Sequence, residues 1–288
     1  MSSMISFILA MHCNKMYECE LCEEYLSCES DKHLHNSWVR KIRLDSIKKV
    51  VLLFSNKGGT GQTVFSSLLA AKIKEQGHLP ALLETSFSSY MPKLFGRISS
   101  ETILEIGNNG IIAPKSIFNY KYISPLLFMG TDHKIILWDK EAILKFISKM
   151  IVNTDWEDTG VLIIDLSHSH SIAIDFIKSL FAKKTVDIIL VFDPRVTDYS
   201  IAGSYISHFS QIGNVLAALM SPSIIQKSDK FVFDKIDIPV FSLPFCEDLI
   251  KSGNELSSVL LDTYQSYELV LEEVSELCLG IGEIVEPS

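Results

Sequence analysis

A glycine-rich segment between an apolar run and a helical pattern constrains the fold more than any other part of the sequence. Residues 55–67 are SNKGGTGQTVFSS, preceded by VVLLF and followed by LLAAKIKEQG. A phosphate-binding loop, G-x-x-x-x-G-K-[ST], uses backbone N–H groups, a lysine and a hydroxyl to bind phosphates and Mg²⁺. Thr63 supplies the hydroxyl here, but Gln62 occupies the lysine position. The segment therefore predicts a strand–loop–helix unit that binds a nucleotide but lacks the lysine of the motif.

Composition narrows the class of protein. The chain has 288 residues, of which 47% are apolar, which is enough for a substantial core. Its formal net charge of −9 argues against a nucleic-acid surface as the main function. The apolar run ISFILAM is far shorter than the ~20 residues of a membrane span, and no basic segment precedes it as in a signal peptide. We therefore expect a cytoplasmic protein that binds neither membranes nor nucleic acid.

Four of the six cysteines form a group, C-x5-C-x2-C-x5-C, between residues 13 and 28. The surrounding segment is too short and polar to bury a core, so something other than packing would have to order it, and a four-thiolate cluster would do so. Structural zinc sites have two close cysteine pairs, whereas here one close pair has outer cysteines five residues away. This spacing favours an iron–sulfur cluster, with zinc or unliganded thiols as alternatives. The grouped cysteines are Cys13, Cys19, Cys22 and Cys28, and the two isolated ones, interpreted as buried thiols, are Cys246 and Cys278.

From residue 50 onward, short apolar runs alternate with segments of helical periodicity. Nearly continuous apolar runs are typical of strands covered on both faces, so the pattern predicts a doubly wound, mainly parallel α/β sheet. Strands are predicted at residues 50–54, 80–84, 124–130, 160–166, 186–193, 214–220 and 238–245. Helical periodicity covers residues 68–77, 139–152, 171–184, 196–209 and 255–280.

The sequence divides into three parts. Residues 1–30 form a Cys-rich extension, residues 31–49 are predicted as a connecting helix, and residues 50–288 form the α/β domain. Ligands of such sheets bind at the carboxyl ends of the strands. Residues 56–63 and 165–171 follow two predicted strands at that edge, so we expect the site there.

Several motifs together resemble one branch of the P-loop NTPases. The loop NKGGTGQT resembles the deviant Walker A motif, KGGxGK[ST], of MinD, ParA and Mrp/Nbp proteins. A C-x2-C-x5-C group, a basic helix and then the loop is the order found in the Mrp/Nbp iron–sulfur cluster carriers. SYMPKLFG, DWEDTGVLIIDL and VFDPRVTDYS resemble further landmarks of that family. The resemblance covers about residues 13–254.

This resemblance implies a dimeric ATP-binding scaffold that assembles a [4Fe-4S] cluster and transfers it to apoprotein recipients. The dimer is a homodimer or a heterodimer with a related P-loop scaffold subunit. Lys57 and Asp165 are the catalytic candidates: Lys57 contacts the phosphates of the partner subunit's nucleotide, and Asp165 is the Walker B carboxylate behind Mg²⁺. The implied cluster ligands are Cys13, Cys19, Cys22 and Cys28. The implied ATP-binding loop is Asn56, Lys57, Gly58, Gly59, Thr60, Gly61, Gln62 and Thr63, of which Thr63 also binds Mg²⁺.

The departures from the family pattern bear on activity. Gln62 lacks the charge of the loop lysine, and Glu84, Thr85 and Ser86 occupy a switch that has two aspartates in the family. A C-P-x-C pair for a cluster bridging two subunits is absent from MSPSIIQKSDKFVFD. We therefore predict at most a weak or partner-dependent ATPase. The alternative hypothesis is a MinD-like pseudo-ATPase that acts as a dimerisation or partner-binding module without a cluster.

Overall fold

A computed structural model describes most of the α/β domain and little of the N-terminal extension. The described residues are 26–27, 36, 44–87, 91, 112, 114–117, 119–129, 139–168, 173–181, 184–221, 237–245 and 256–280. The four grouped cysteines, Cys246 and residues 31–35 and 37–43 of the predicted connecting helix lie outside these ranges.

The domain is built on one eight-stranded sheet. Seven strands are parallel, and β3, at one edge of the sheet, pairs with β4 in antiparallel orientation, which confirms the predicted mainly parallel α/β fold. The order across the sheet is β3-β4-β2-β5-β1-β6-β7-β8. The strands are β1 (Lys49–Ser55), β2 (Pro80–Glu84), β3 (Lys115–Ile117), β4 (Tyr120–Ile123), β5 (Val161–Leu166), β6 (Val186–Phe192), β7 (Asn214–Met220) and β8 (Val240–Ser242).

The central strands are covered on both faces. Every residue of β5 and β6 is buried, and side chains of a strand alternate between the two faces of the sheet. Burial of both sets requires a layer of helices on each side, as the continuous apolar runs predict. The helices are α1 (Gln62–Glu75), α2 (Leu126–Met129), α3 (Lys140–Asn153), α4 (Ala173–Leu180), α5 (Tyr199–Ser210) and α6 (Leu256–Leu279).

Local sequence signals determine where several helices begin. Asp139 and Asp198 lie immediately before α3 and α5, and their carboxylates accept hydrogen bonds from N–H groups of the first turns. At the other end of the domain, α6 packs on α1, where Gln76 donates to the Ser275 hydroxyl at 2.9 Å.

In the described part of the chain, no helix has the length and apolar character that a membrane span requires.

The predicted strand at residues 124–130 is wrong. Strand β4 ends at Ile123, and the next residues form a turn followed by the one-turn helix α2. Pro125 has no backbone N–H for a strand ladder, and Ser124 accepts a hydrogen bond from the Leu126 N–H, which starts the turn. The predicted strand at 238–245 is also too long, because the ladder covers only residues 240–242.

Candidate nucleotide-binding site

The loop between β1 and α1 requires glycine at two positions. Gly59 and Gly61 have φ angles of 78° and 82°, a left-handed conformation that residues with a Cβ adopt at a cost. Gly61 is the N-cap of α1. The N–H groups of a first helical turn have no partner within the helix, and the helix dipole favours an anion beside them. The predicted loop thus leads into a helix N-terminus of the type that binds phosphate.

Gly58 has a different role, which is to permit close packing. A Cβ at this position would lie 3.3 Å from Cε1 of His168. The imidazole of His168 therefore lies against the loop, although the residue itself is exposed. No local pattern in the sequence predicts this contact, because Gly58 and His168 are 110 positions apart.

Gln62 is buried and its side chain is directed into the protein. Its amide Nε2 donates to the carbonyl oxygens of Leu53 at 3.2 Å and Leu166 at 3.0 Å, and to the carboxylate of Asp165. These acceptors belong to β1 and β5, which are neighbouring strands. The residue at the lysine position of the motif, the first residue of α1, is thus bonded to the sheet through its side chain.

Asp165 lies at the centre of this buried network. Burial raises the pKa of its carboxyl to about 6, and hydrogen bonds with Thr63, Gln62 and Ser66 partly oppose that increase. The structure therefore brings Thr63 and Asp165 together, as a Mg²⁺ site requires. A hydroxyl and a carboxylate are hard oxygen donors of the kind Mg²⁺ prefers, so the residues present fit this ion.

The residues that replace the switch aspartates extend the same network. Glu84 pairs with Asp165 in the register of β2 and β5, is fully buried, and accepts a hydrogen bond of 2.7 Å from the Tyr122 hydroxyl. The Thr85 hydroxyl donates to the Asp165 carbonyl at 3.2 Å and accepts from the Ser167 N–H at 2.9 Å. These contacts tie the end of β2 to the end of β5.

A second cluster lies on the other side of β1, at the end of β6. Asp193 is buried and binds two cations through Oδ2: Lys57 Nζ at 3.0 Å and Arg195 Nη2 at 2.8 Å. Arg195 also donates to Oδ1 from Nε at 2.9 Å and from its backbone N–H at 3.0 Å. Hydrogen bonds from Arg195 and Lys57 hold the pKa of the Asp193 carboxyl well below its usual range. In addition, Asn56 Nδ2 donates to the Thr197 hydroxyl at 2.9 Å.

Sequence reasoning assigned no role to Asp193, Arg195 or Thr197. The available signal was their position, because VFDPRVTDYS places two charged residues directly after a buried strand. Their contacts with Lys57 and Asn56 depend on the pairing of β1 with β6, which are far apart in the sequence.

The cysteine predictions have two outcomes. Cys278 is buried on α6, as predicted, and burial raises the pKa of its thiol to about 12. The four predicted cluster ligands, Cys13, Cys19, Cys22 and Cys28, lie outside the described residues. Within the described ranges, no group of three His, Cys, Asp or Glu side chains is arranged to hold a metal ion.

Comparison with solved structures supports the fold. The nucleotide-binding protein of Archaeoglobus fulgidus in complex with ADP aligns with a TM-score of 0.59 at 20% identity, covering 77% of this chain and 90% of that one. The MinD cell division protein of Aquifex aeolicus aligns with a TM-score of 0.52 at 13% identity, covering 83% and 100%. Both show that the chain has the MinD/ParA-like P-loop NTPase fold.

Sequence comparison finds relatives that are named iron-sulfur cluster carrier proteins. The iron-sulfur cluster carrier protein of Clostridium perfringens is 26% identical over 127 residues, which is 42% of this chain and 45% of that protein. The protein of the same name from Rickettsia felis is 27% identical over 126 residues, 43% of this chain and 37% of that one. The chain thus spans less than half of the length of these relatives.

A protein-family model matches a larger part of the chain. It is described as ParA: NUBPL iron-transfer P-loop NTPase, and it matches residues 46–220. This range includes β1, the glycine loop, Asp165 and the Asp193 cluster. More than half of the chain fits the family model, and the fold agrees with it, so the protein belongs to the NUBPL iron-transfer P-loop NTPase family.

Proposed function

We propose that this protein is an ATP-binding carrier that assembles or holds a [4Fe-4S] cluster and delivers it to apoprotein recipients in the cytoplasm. The observation that most supports nucleotide binding is the glycine loop at the N-terminus of α1, with Thr63 and Asp165 in contact beneath it. The family match and the relatives named iron-sulfur cluster carrier proteins support the cargo.

Each part of the loop has a defined task in this proposal. The N–H groups at the start of α1 donate to phosphate oxygens, and the glycines let the backbone approach them. The Thr63 hydroxyl and the Asp165 carboxylate hold hydrated Mg²⁺, which supplies positive charge next to the phosphates when bound. Lys57 is on the exposed side of the loop, from which it can reach a phosphate of the second subunit.

ATP hydrolysis by the chain alone is slow in this proposal. The Gln62 amide donates to three acceptors of the sheet and has no charge to offer a phosphoryl group. Loss of one preorganised donor in a phosphoryl-transfer site typically costs about 10²–10³ in rate. Ser86, at the second switch position, also lacks a carboxylate that could orient water. Nucleotide binding, rather than turnover, would then control the conformation of the carrier.

The proposed dimer interface is the face around Lys57. Val196, Tyr199 and Ile201 follow the Asp193 cluster along the chain and are exposed large apolar side chains. Exposed apolar residues next to a half-exposed cation favour contact with a second protein surface. The partner is a second copy of this chain or a related P-loop subunit.

The cluster is tested by anaerobic iron and sulfide analysis of the purified full chain. We expect four irons and four sulfides for each cluster, with broad absorbance near 400 nm, and loss of both in a Cys19→Ser/Cys22→Ser double variant. Serine keeps the size of the side chain but lacks the soft thiolate that iron prefers. Cys278→Ser is the matched control, because Cys278 is fully buried on α6 and burial raises the pKa of its thiol, which disfavours the thiolate that binds iron.

The outcomes separate the carrier from the alternative function. Iron at the parent level in the double variant would disprove these ligands. A colourless parent that holds zinc or no metal would instead support the pseudo-ATPase module. The buried side chain of Gln62 supports the pseudo-ATPase only with respect to weak hydrolysis. It carries no information about whether the cysteines bind a cluster.

A further inference from the structure

The segment after β6 is attached to the phosphate-binding loop at two points. Lys57 binds Asp193 at 3.0 Å, and Asn56 donates to Thr197 at 2.9 Å. Both loop residues come directly after β1, so the segment of residues 193–197 lies along the first part of the loop. Arg195 is in the middle of this segment.

The cluster has more positive than negative charge. Asp193 provides one carboxylate, whose side chain is 3% exposed, and it binds both Lys57 and Arg195. The side chains of these two cations are 45% and 57% exposed. Because one carboxylate balances only one cation, the group has a net charge of +1 beside the loop. This excess charge favours a second anion at the same place.

Arg195 has donors that Asp193 does not use. A guanidinium group has five N–H donors in a rigid plane. Nε and Nη2 donate to the two oxygens of Asp193, which fixes the orientation of the plane. The N–H groups that remain can donate to a further oxygen anion without breaking this ion pair.

We propose that Arg195 binds phosphoryl oxygens of the nucleotide, beside Lys57, and supplies the positive charge that Gln62 lacks. Asp193 is the positioning residue, which holds both cations against the loop and competes with the phosphate for them. The proposal rests on the nucleotide binding of the proposed function. It assigns to Arg195 a role that the loop motif does not contain.

The experiment is an equilibrium titration of the full chain with ATP in the presence of Mg²⁺. Arg195→Ala should weaken ATP binding by about tenfold, the usual effect of losing one charge-assisted hydrogen bond. Asp193→Asn should have the opposite effect and strengthen binding by several-fold, because it removes the negative charge that competes with the phosphate and keeps an amide oxygen that can accept from the cations. The matched control is Lys145→Ala, which removes a cation from the exposed Lys145–Glu141 ion pair on α3 and should leave the affinity unchanged.

Repeating the titration at two protein concentrations shows whether Arg195 contacts the nucleotide of its own chain or that of a second copy. An effect of Arg195→Ala in dilute, monomeric protein assigns the contact to the nucleotide of the same chain. An effect confined to concentrated, associated protein assigns it to the nucleotide of a second copy. Either result supports the proposal.

The failures are distinguishable. If the parent binds ATP and Arg195→Ala binds it equally well at both concentrations, the role of Arg195 is disproved and the proposed function stands. Weaker binding by Asp193→Asn would also overturn the proposal, since it would show that the cluster has only a structural role. A parent that does not bind ATP would disprove the nucleotide part of the proposed function, and the role of Arg195 with it.

Discussion

Strand β1 separates two polar clusters that differ in charge and exposure. On the β5 side, Gln62, Asp165 and Glu84 are buried, and the two carboxylates accept hydrogen bonds from neutral donors. On the β6 side, a single carboxylate, Asp193, is surrounded by two cations that are about half-exposed. The pKa of Asp165 is raised by burial, whereas the pKa of Asp193 is lowered by its cations.

Among the described residues, the positive charge of this site therefore lies on the β6 side of the loop. In the loop motif, a lysine at the position of Gln62 places a charge next to the phosphates and the metal. In this chain that position is neutral, and Lys57 and Arg195 are on the side that we propose for contact with a second subunit. We therefore expect nucleotide binding and association to be retained and hydrolysis to be weak, because hydrolysis depends most on charge at the transferred group.

The largest expected effect concerns association through the β6 side. We expect the parent to sediment as a dimer with Mg-ATP, and Lys57→Ala to remain a monomer under the same conditions, because Lys57 is the cation proposed to reach the phosphate of the second subunit. Sedimentation velocity with and without Mg-ATP measures this. Lys145→Ala is the control for loss of a surface cation elsewhere. If Lys57→Ala dimerises to the same extent as the parent in both conditions, the β6 side is not the interface.

A smaller effect follows from adding a charge to the β5 side. Gln62→Lys should strengthen ATP binding by about tenfold, because an ammonium group makes charge-assisted hydrogen bonds that an amide cannot. We expect normal turnover to remain absent, since Ser86 still cannot orient water. A paired titration and steady-state ATPase assay of parent and variant measures both effects. Gln62→Met, which has similar size and no donor, is the control and should not strengthen binding.

Full turnover by Gln62→Lys would show that the single lysine position accounts for the loss of hydrolysis. Brisk hydrolysis by the parent would show that the buried amide is compatible with catalysis. Either result would remove the functional contrast between the two sides of β1.

The sheet was predictable because a strand that is buried on both faces appears in the sequence as a continuous apolar run. β5, β6 and β7 lie within one residue of their predicted bounds, since a parallel strand between two helical layers needs apolar residues throughout. The prediction for residues 124–130 was wrong because one buried turn of helix has the same apolar composition as a short strand. In this segment, Pro125 is the sequence signal that argues against a strand.

The site was predictable only where the motif is local. The glycine loop and Thr63 are contiguous in sequence, and their positions follow from one strand–loop–helix unit. The contact of Lys57 with Asp193 joins residues 136 positions apart, and it depends on strand order, which periodicity does not specify. The direction of Gln62 depends on acceptors from two strands, so its inward orientation required the structure.

The smallest expected effect is a pH dependence of stability that distinguishes the two carboxylates. The pKa of Asp165 in the folded protein, about 6, is above its ordinary value of 3.8. Between these values the folded state binds more protons than the unfolded state, so the free energy of unfolding decreases as pH rises. Ionisation of buried Asp165 should therefore cost about 1 kcal/mol between pH 5 and pH 7.5. Urea unfolding of the metal-free protein at the two pH values measures this cost, which should disappear in Asp165→Asn.

Asp193 provides the matched control, because its pKa is shifted in the opposite direction. A lowered pKa contributes stability that is complete above the ordinary value and is lost only in stronger acid. The stability difference between Asp193→Asn and the parent should therefore be the same at pH 5 and pH 7.5, whereas the difference between Asp165→Asn and the parent should change by about 1 kcal/mol. If both differences are constant over this range, Asp165 is already ionised without cost, and the β5 side is as well solvated as the β6 side.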